Sequence, residues 1–204
     1  MEMYYHINNS PDCNWKIGDE IYFGHEDNYM WRSFAEKGDF IELNGEKYSS
    51  DLITRHAFDT YTSKFPAPIK MQGYHFNPIL TIKEAIDSLG NTLRIIRELA
   101  FETIRNSFYP ELPSRHKCIW LIPDNEQSYD FWKNILQSKH QKIFKVIIVN
   151  GKIHRAAQKW LIGGTFPLNE TISKAHKYWK GEDSGNVEDE VLFEGKIRIL
   201  EEVG

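Results

Sequence analysis

The chain has 204 residues, of which 41% are hydrophobic and 14% aromatic, and its formal net charge is −4. This length allows one elaborated domain and excludes two large independent ones, while six tryptophans exclude general disorder. The sequence has neither a run of roughly eighteen apolar residues nor the basic and apolar regions of a signal peptide. We therefore expect a cytoplasmic protein without membrane contact, or one in a host cytoplasm if it is an effector.

The first part of the chain predicts short strands and helices in alternation. The predicted elements are strands at 3–7 and 20–24, a helix ending at Gly38, a hairpin over 40–49 turning at Asn44-Gly45, and a helix from Ser50 to about Phe65. A loop marked by Pro and Gly follows at 66–78. If the chain has a subdomain boundary, we expect it in this loop. We expect a single domain over 1–204, with a helical insertion around 49–110.

The clearest predicted element is a long amphipathic helix from Thr81 to about Phe108. Thr81 and Glu84 form a capping box at its start. Apolar residues then recur at spacings of four or three, which predicts one stripe facing the core. The stripe consists of Ile82, Ile86, Leu89, Leu93, Ile96, Ala100, Ile104 and Phe108.

The second part of the chain mixes strand pairs with helices. The predicted elements are a strand with Cys118, Trp120 and Ile122 on one face, a helix capped by Ser128, a strand pair turning at Asn150-Gly151, a helix closed by Gly181, and a last hairpin turning at Glu194-Gly195. Because no regular alternation of parallel strands and helices appears, the predicted class is α+β with largely antiparallel sheets.

Four observations bear on ligands before any family is considered. Residues 105–180 contain 13 Lys and Arg against 5 Asp and Glu, which offers either a basic face for phosphates or an ordinary mixed surface. The two cysteines are not in a CxxC pair, and we expect both to remain thiols. No dinucleotide-binding glycine motif, P-loop or hydrolase nucleophile motif occurs. His25 and His56 lie close to carboxylates, so a metal-dependent hydrolase is a third and weaker alternative.

Three short motifs resemble the His-Tyr-Glu pattern of the ADP-ribosyltransferase superfamily. His6 lies in the first strand (YYHI), Tyr129 follows an aromatic strand (CIWLIPDNEQSY), and Glu190 directly precedes the apolar run VLF. The opening also resembles RNA 2′-phosphotransferases, and the segments LPSRHKCIWL and HKYWKGE resemble a poorly characterised bacterial and phage family. The resemblance implies two mainly antiparallel sheets around an NAD cleft.

The resemblance also implies a role for each candidate residue, with NAD as substrate. Glu190 would accept a hydrogen bond from the ribose 2′-hydroxyl and stabilise the oxocarbenium ion that forms as nicotinamide leaves. Tyr129 and Trp120 would sandwich the nicotinamide ring, and His6, beside Tyr5, would hold the adenosine ribose.

The basic candidates are assigned to the pyrophosphate. Arg115 would bind it through bidentate hydrogen bonds, Lys117 is a weaker candidate for the same role, and Ser114 is a further binding residue. The chain departs from the superfamily pattern in three places. Glu188, Asp189 and Glu190 run together in place of a Glu-x-Glu or Gln-x-Glu motif, no Ser-Thr-Ser motif marks the second strand unless Ser114 serves that part of the site, and the strand aromatic is Trp120 instead of tyrosine. These departures leave open both the acceptor and the retention of activity.

The sequence therefore predicts transfer of ADP-ribose from NAD to a macromolecule. The basic middle section slightly favours a nucleic acid over a protein as acceptor, and many proteins of this fold are toxins or anti-phage effectors, which implies a neutralising antitoxin as partner. Two alternatives share the fold: an enzyme that hydrolyses NAD or removes an RNA 2′-phosphate, and a non-catalytic module that binds nucleotides or nucleic acid.

Overall fold

The structure is a computed structural model that describes residues 2–37, 40–43, 46–49, 51–55, 78–161 and 167–203. The chain divides into two compact units, the first formed by Met1–Trp31 with Arg97–Gly204 and the second by Arg32–Ile96. The elements in chain order are β1 (Met3–Asn8), β2 (Glu20–Phe23), α1 (Tyr29–Lys37), β3 (Phe40–Leu43), β4 (Glu46–Ser49), α2 (Pro78–Phe108), β5 (Ile119–Pro123), α3 (Glu126–Ile135), β6 (Lys142–Ala156), a 3₁₀ helix (Gln158–Trp160), α4 (Leu168–Trp179) and β7 (Glu190–Glu202). Residues 51–55 are also helical.

Five strands of the first unit form one antiparallel sheet in the order β2-β7-β5-β1-β6. The sheet closes on itself because β6 pairs with β1 along one edge and with β7 along the other. The α+β class is thus confirmed, but the expected pair of sheets around a cleft is not found. In the described residues, the other sheet is the two-stranded β3–β4 hairpin of the second unit.

The inner face of the closed sheet carries an apolar core. Side chains alternate along a strand, so every second residue of β5 and β7 points to this face. Its buried members are Tyr4, Ile119, Leu121, Phe144, Val146, Val191, Phe193, Ile197 and Ile199, with Trp15 and Phe23 packed against them. The opposite face is covered by α2 and α4, where Phe101, Tyr178 and Trp179 pack on Cys118 and Leu192.

Two predicted turns are strand interiors instead. β6 and β7 each run without interruption, and Gly151 and Gly195 pair with each other across the two strands. A Cβ on Gly195 would lie 2.3 Å from the Asn150 carbonyl oxygen and 2.5 Å from the Gly151 Cα, so the close approach of the strands requires glycine. Both glycines have positive φ, next to a register shift between Ile148 and Asn150, which gives a bulge in place of a turn.

The long helix is confirmed, although it begins at Pro78 and therefore before the predicted Thr81 capping box. The prediction that its apolar stripe faces the core is wrong for most of its length, since Ile82, Ile86, Leu89, Ile96 and Phe108 are exposed. In the last turns of the helix, which belong to the first unit, Ile104 is buried together with Phe101.

The shorter helices follow the sequence more closely. α1 ends at Lys37, one residue before the predicted Gly38, and α4 ends in a Schellman motif in which the Gly181 amide donates to the Tyr178 carbonyl. The cap of α3 differs from the prediction: the side chain of Asn125 accepts a hydrogen bond from the Ser128 amide, and Ser128 is a buried residue inside the helix. The β3–β4 strands are confirmed, while Asn44-Gly45 and most of the helix expected from Ser50 lie outside the described residues.

Both cysteines are free, as expected, and Cys118 is buried. Within the described ranges, none of the helices combines the length and the apolar character needed to cross a bilayer.

Candidate functional site

A cavity of about 440 Å³ opens in the first unit beside the divergence of β1 and β5. The two strands pair only at Tyr4–Pro123 and Tyr5–Ile122, so beyond this point they leave a gap. The cavity is lined by His6, Ile7, Met30, Arg97, Arg115, Trp120, Leu121, Ile122, Trp132, Leu136, Gln158, Leu161 and Glu190. Its lining is thus mostly apolar and aromatic with a few charged groups, which is the usual character of a small-molecule site.

The charged groups form one chain of ion pairs. Glu98 on α2 binds Arg97 (2.8 Å) through Oε1 and the Arg115 Nε (2.7 Å) through Oε2. Arg115 Nη1 then donates to Glu190 Oε2 and to the Tyr178 hydroxyl oxygen. Arg97 and Glu190 are therefore the two ends of the chain, and both line the cavity.

Burial makes this chain electrostatically strong. Arg115 is only 2% exposed, and burial alone would lower the pKa of its guanidinium, but Glu190, Tyr178 and Glu98 outweigh burial and raise that pKa above its ordinary value. Burial likewise works to raise the pKa of Glu98, and the two arginines reverse the effect and lower it. Both groups are thus held in their charged forms.

Glu190 presents two oxygens with different surroundings. Oε2 accepts from Arg115 and from the Tyr178 hydroxyl at 2.8 Å. No hydrogen bond from the described part of the chain reaches Oε1, and the side chain keeps 11% of its surface exposed. Burial and Glu190 also raise the pKa of Tyr178, so its hydroxyl remains a donor. The carboxylate is therefore held by one oxygen and leaves the other for a ligand.

His6 bridges the gap between the strands. Its Nδ1 lies 2.9 Å from the Trp120 carbonyl oxygen, and its ring stacks on Trp15 with centroids 5.1 Å apart. Burial lowers the pKa of His6, which keeps the ring neutral. Because a carbonyl oxygen only accepts, the proton lies on Nδ1, and Nε2 is an unprotonated acceptor.

This site belongs to a chain whose residues 4–204 match the family described as Protein of unknown function (DUF2441). The chain belongs to the DUF2441 family. No curated protein matches it. Membership agrees with the resemblance to a poorly characterised family, and the relationship to ADP-ribosyltransferases stays a prediction.

Four of the sequence-derived candidates of this DUF2441 chain meet at the cavity, namely His6, Arg115, Trp120 and Glu190. Trp120 also faces Arg115, whose guanidinium carbon lies 6.0 Å from the ring centroid. This convergence joins the first strand, the middle strand and the last strand at one place.

The other candidates lie elsewhere in the first unit. Tyr129 packs on Tyr5, with ring centroids 4.8 Å apart, and neither residue lines the cavity. Ser114 is buried and its amide donates to Glu194 Oε1 at 2.8 Å, while Lys117 is exposed. Arg115 uses three of its five N–H groups on Glu98, Tyr178 and Glu190 at short range.

Sequence reasoning missed Arg97, Glu98, Tyr178 and Trp132. A signal was present for Glu98, because Glu98, Phe101, Glu102 and Arg105 recur at spacings of three and four on the buried face of α2. Carboxylates at such positions need cationic partners, which points to a buried ion-pair network. Trp132 lies one turn after Tyr129 on α3, and the sequence alone did not indicate which ring faces the cavity.

The structure gives no support to a metal site in the parts of the chain it describes. No three His, Cys, Asp or Glu side chains of those parts are grouped as metal ligands. His25 stacks on Tyr22 with centroids 4.2 Å apart. His56, the other histidine of that alternative, lies outside the described residues.

Proposed function

We propose that the cavity binds NAD and that the protein transfers ADP-ribose from it to a macromolecular acceptor, with release of nicotinamide. The observation that carries the proposal is the convergence of His6, Trp120 and Glu190 at one cavity. The cavity volume of about 440 Å³ lies within the range of known ligand pockets, roughly 300–1,000 Å³.

Glu190 supplies the negative charge that the reaction needs. Loss of nicotinamide leaves a positive charge on the ribose, and a fixed carboxylate nearby stabilises the transition state more than the ground state. Arg115 and Tyr178 hold Oε2, so Oε1 is the oxygen that accepts the ribose hydroxyl. Because the carboxylate is already oriented, little reorganisation accompanies the reaction.

His6 and Trp120 serve the two halves of the dinucleotide. With Nδ1 committed to the Trp120 carbonyl, Nε2 of His6 accepts from a ribose hydroxyl. The indole of Trp120 offers a flat surface for the nicotinamide ring, a contact that contributes on the order of 0.5–1.5 kcal/mol beyond area burial. In this arrangement Trp132 replaces Tyr129 as the second aromatic, since Trp132 lines the cavity.

The acceptor in this proposal is a nucleic acid in preference to a protein. Support comes from the excess of Lys and Arg between residues 105 and 180. The proposal extends to a toxin or anti-phage role with a neutralising antitoxin as partner, and this extension rests on the superfamily resemblance alone. The competing candidate is a module that binds the nucleotide without cleaving it, and the neutralisation of Glu190 by a buried arginine favours it.

Nicotinamide release and thermal shift with NAD test the proposal on wild-type protein and the Glu190→Gln variant. Wild type is expected to release nicotinamide and to gain roughly 2.7 kcal/mol of stability at one hundred times the dissociation constant. Glu190→Gln is expected to reduce release by about 100-fold or more. Asp189→Asn is the matched control, because Asp189 is the neighbouring buried carboxylate, pairs with Arg155 and does not line the cavity.

The control variant is expected to lose stability and to keep nicotinamide release. Equal release by wild type and Glu190→Gln would overturn the catalytic role. A thermal shift with NAD but no release, with or without RNA, DNA or protein acceptors, would favour the non-catalytic module. Release without a modified acceptor would identify an NAD hydrolase, and loss of phosphate from a 2′-phosphorylated RNA would identify a phosphotransferase.

A further inference from the structure

Arg97 is the cation at the open end of the ion-pair chain. It is the second arginine in the lining of the cavity, and 29% of its side chain is exposed, against 2% for Arg115. It is fixed in place by two contacts, since Nη1 donates to the Leu161 carbonyl at 2.7 Å and Nη2 donates to Glu98 Oε1 at 2.8 Å. The guanidinium is therefore both oriented and accessible.

The Arg97 guanidinium has N–H groups that no described residue uses as hydrogen-bond donors. A guanidinium has five N–H groups, and in the described part of the chain those of Arg97 go to Glu98 and Leu161 alone. One N–H on each terminal nitrogen is left over. Two N–H groups in a fixed plane match the two oxygens of a phosphate.

Glu98 only partly compensates the positive charge of Arg97. The same carboxylate binds Arg115 at 2.7 Å, so two arginines share it. The second negative charge of the chain, Glu190, lies at the far end beyond Arg115. The chain is therefore polarised, with a cation at one end and a carboxylate at the other.

We infer that Arg97, together with Gln158, binds the pyrophosphate of the dinucleotide while Glu190 faces its nicotinamide ribose. The inference rests on the proposed function and deepens it. NAD has the matching polarity, with a cationic pyridinium next to one ribose and an anionic pyrophosphate beyond it. Gln158 begins the 3₁₀ helix that leads to Leu161, and this residue also lines the cavity.

Arg115 is less suited to the role that the sequence suggested for it. Its guanidinium is nearly inaccessible, and both of its carboxylate partners and Tyr178 occupy it. Recruiting it for phosphate would break a buried pair. Arg115 thus positions Glu190, and Arg97 contacts the ligand.

Equilibrium binding of ADP-ribose, adenosine and inorganic pyrophosphate tests the inference on the full chain. We expect Arg97→Gln to weaken the binding of ADP-ribose and of pyrophosphate by about 10- to 100-fold and to leave the affinity for adenosine unchanged. Arg97→Lys, which keeps the charge and loses the fork, is expected to recover part of the affinity. Gln158→Ala is expected to lose about 3- to 10-fold.

Arg155→Gln is the matched control, because Arg155 also pairs with a buried carboxylate and does not line the cavity. It is expected to bind all three ligands as wild type does. In turnover, Arg97→Gln is expected to raise KM for NAD with a much smaller change in kcat. Thermal unfolding of each variant identifies any that fails to fold.

Three results overturn the inference. If the Arg97→Gln variant binds ADP-ribose and pyrophosphate as tightly as wild type, Arg97 does not contact the pyrophosphate. If the variant loses the same affinity for adenosine as for ADP-ribose, Arg97 has a structural role. If wild type binds no phosphorylated ligand, the cavity is not a phosphate site. Failure of the proposed function is distinct: wild type that binds ADP-ribose through Arg97 but releases no nicotinamide contradicts catalysis and supports the phosphate site.

Discussion

The two faces of the closed sheet differ sharply in what they bury. The inner face carries an almost wholly apolar cluster that includes Leu121, Phe193 and Ile197. The outer face, under α2 and α4, buries Glu98 and Arg115 and nearly buries Glu190. Among the described residues, the chain of ion pairs next to the cavity lies on the outer face.

This difference indicates that the inner face stabilises the fold, while the charges of the outer face have another role. Apolar burial stabilises a fold by about 25 cal/mol per Å², whereas taking ions out of water costs several kcal/mol each, which pairing only offsets. An ion-pair chain is therefore weak support for stability. Its presence beside a cavity is better explained by a ligand that uses the fixed charges.

The largest effect is expected from Arg115→Met. This change leaves Glu190 nearly buried without its cation and leaves Glu98 with Arg97 alone. It should lower the free energy of unfolding by about 3–5 kcal/mol, measured by urea denaturation. Arg198→Met is the control, because Arg198 pairs with Glu20 on the surface, and it should change little.

The triple variant Arg115→Met, Glu98→Leu, Glu190→Leu sharpens the comparison. It removes the three most buried charges of the chain and leaves Arg97, whose side chain is 29% exposed to water. Most of the lost stability should therefore return while binding of NAD is abolished. If the triple variant were less stable than Arg115→Met, the chain would be stabilising the fold, and the contrast between the two faces would fail.

A smaller effect, about 3 kcal/mol, is expected for Gly195→Ala, because the added Cβ meets backbone atoms of Asn150 and Gly151 at 2.3–2.5 Å. Gly185→Ala is the control: it also has positive φ, yet a Cβ there meets nothing within 4 Å. Thermal unfolding of the two variants separates strand contact from backbone strain. Equal losses would show that the closure of β6 on β7 does not depend on this pair.

The smallest effect concerns His6, which lines the cavity and stacks on Trp15 of the inner core. Burial lowers the pKa of His6 below its ordinary value of 6.5. The unfolded chain therefore takes up a proton first as pH falls, and stability is lost below about pH 6.5. His6→Asn keeps a donor for the Trp120 carbonyl without titrating, so its stability should fall less between pH 7 and pH 5, as urea midpoints would record. An unchanged slope would show that His6 is not shielded from water.

The sequence predicted the elements that local chemistry determines. The first helix, which was predicted to end at Gly38 and ends at Lys37, follows from the glycine after it. The long helix follows from its apolar periodicity, and the Gly181 cap follows from the conformational freedom of glycine. The bulge at Gly151 and Gly195 did not follow, because an Asn-Gly or Glu-Gly pair suits a hairpin turn as well as a mid-strand glycine. Only the pairing of the two long strands decides between them.

The site was predictable in part for the same reason. His6, Trp120 and Glu190 lie in strands whose positions along the chain the motifs indicated, and these residues meet at the cavity. Arg97 and Trp132 were not predicted as site residues, because their place in the cavity lining depends on the tertiary positions of α2 and α3. Tyr129 and Trp132 lie three residues apart on α3. No local feature of the sequence indicates which of the two rings lines the cavity.

The most direct measurement is a structure of the protein with a non-hydrolysable NAD analogue. We expect the analogue in the cavity, with a nicotinamide-ribose hydroxyl within hydrogen-bond distance of Glu190 Oε1 and the pyrophosphate bound to Arg97. An analogue bound away from both side chains, or absent at saturating concentration, would contradict this expectation.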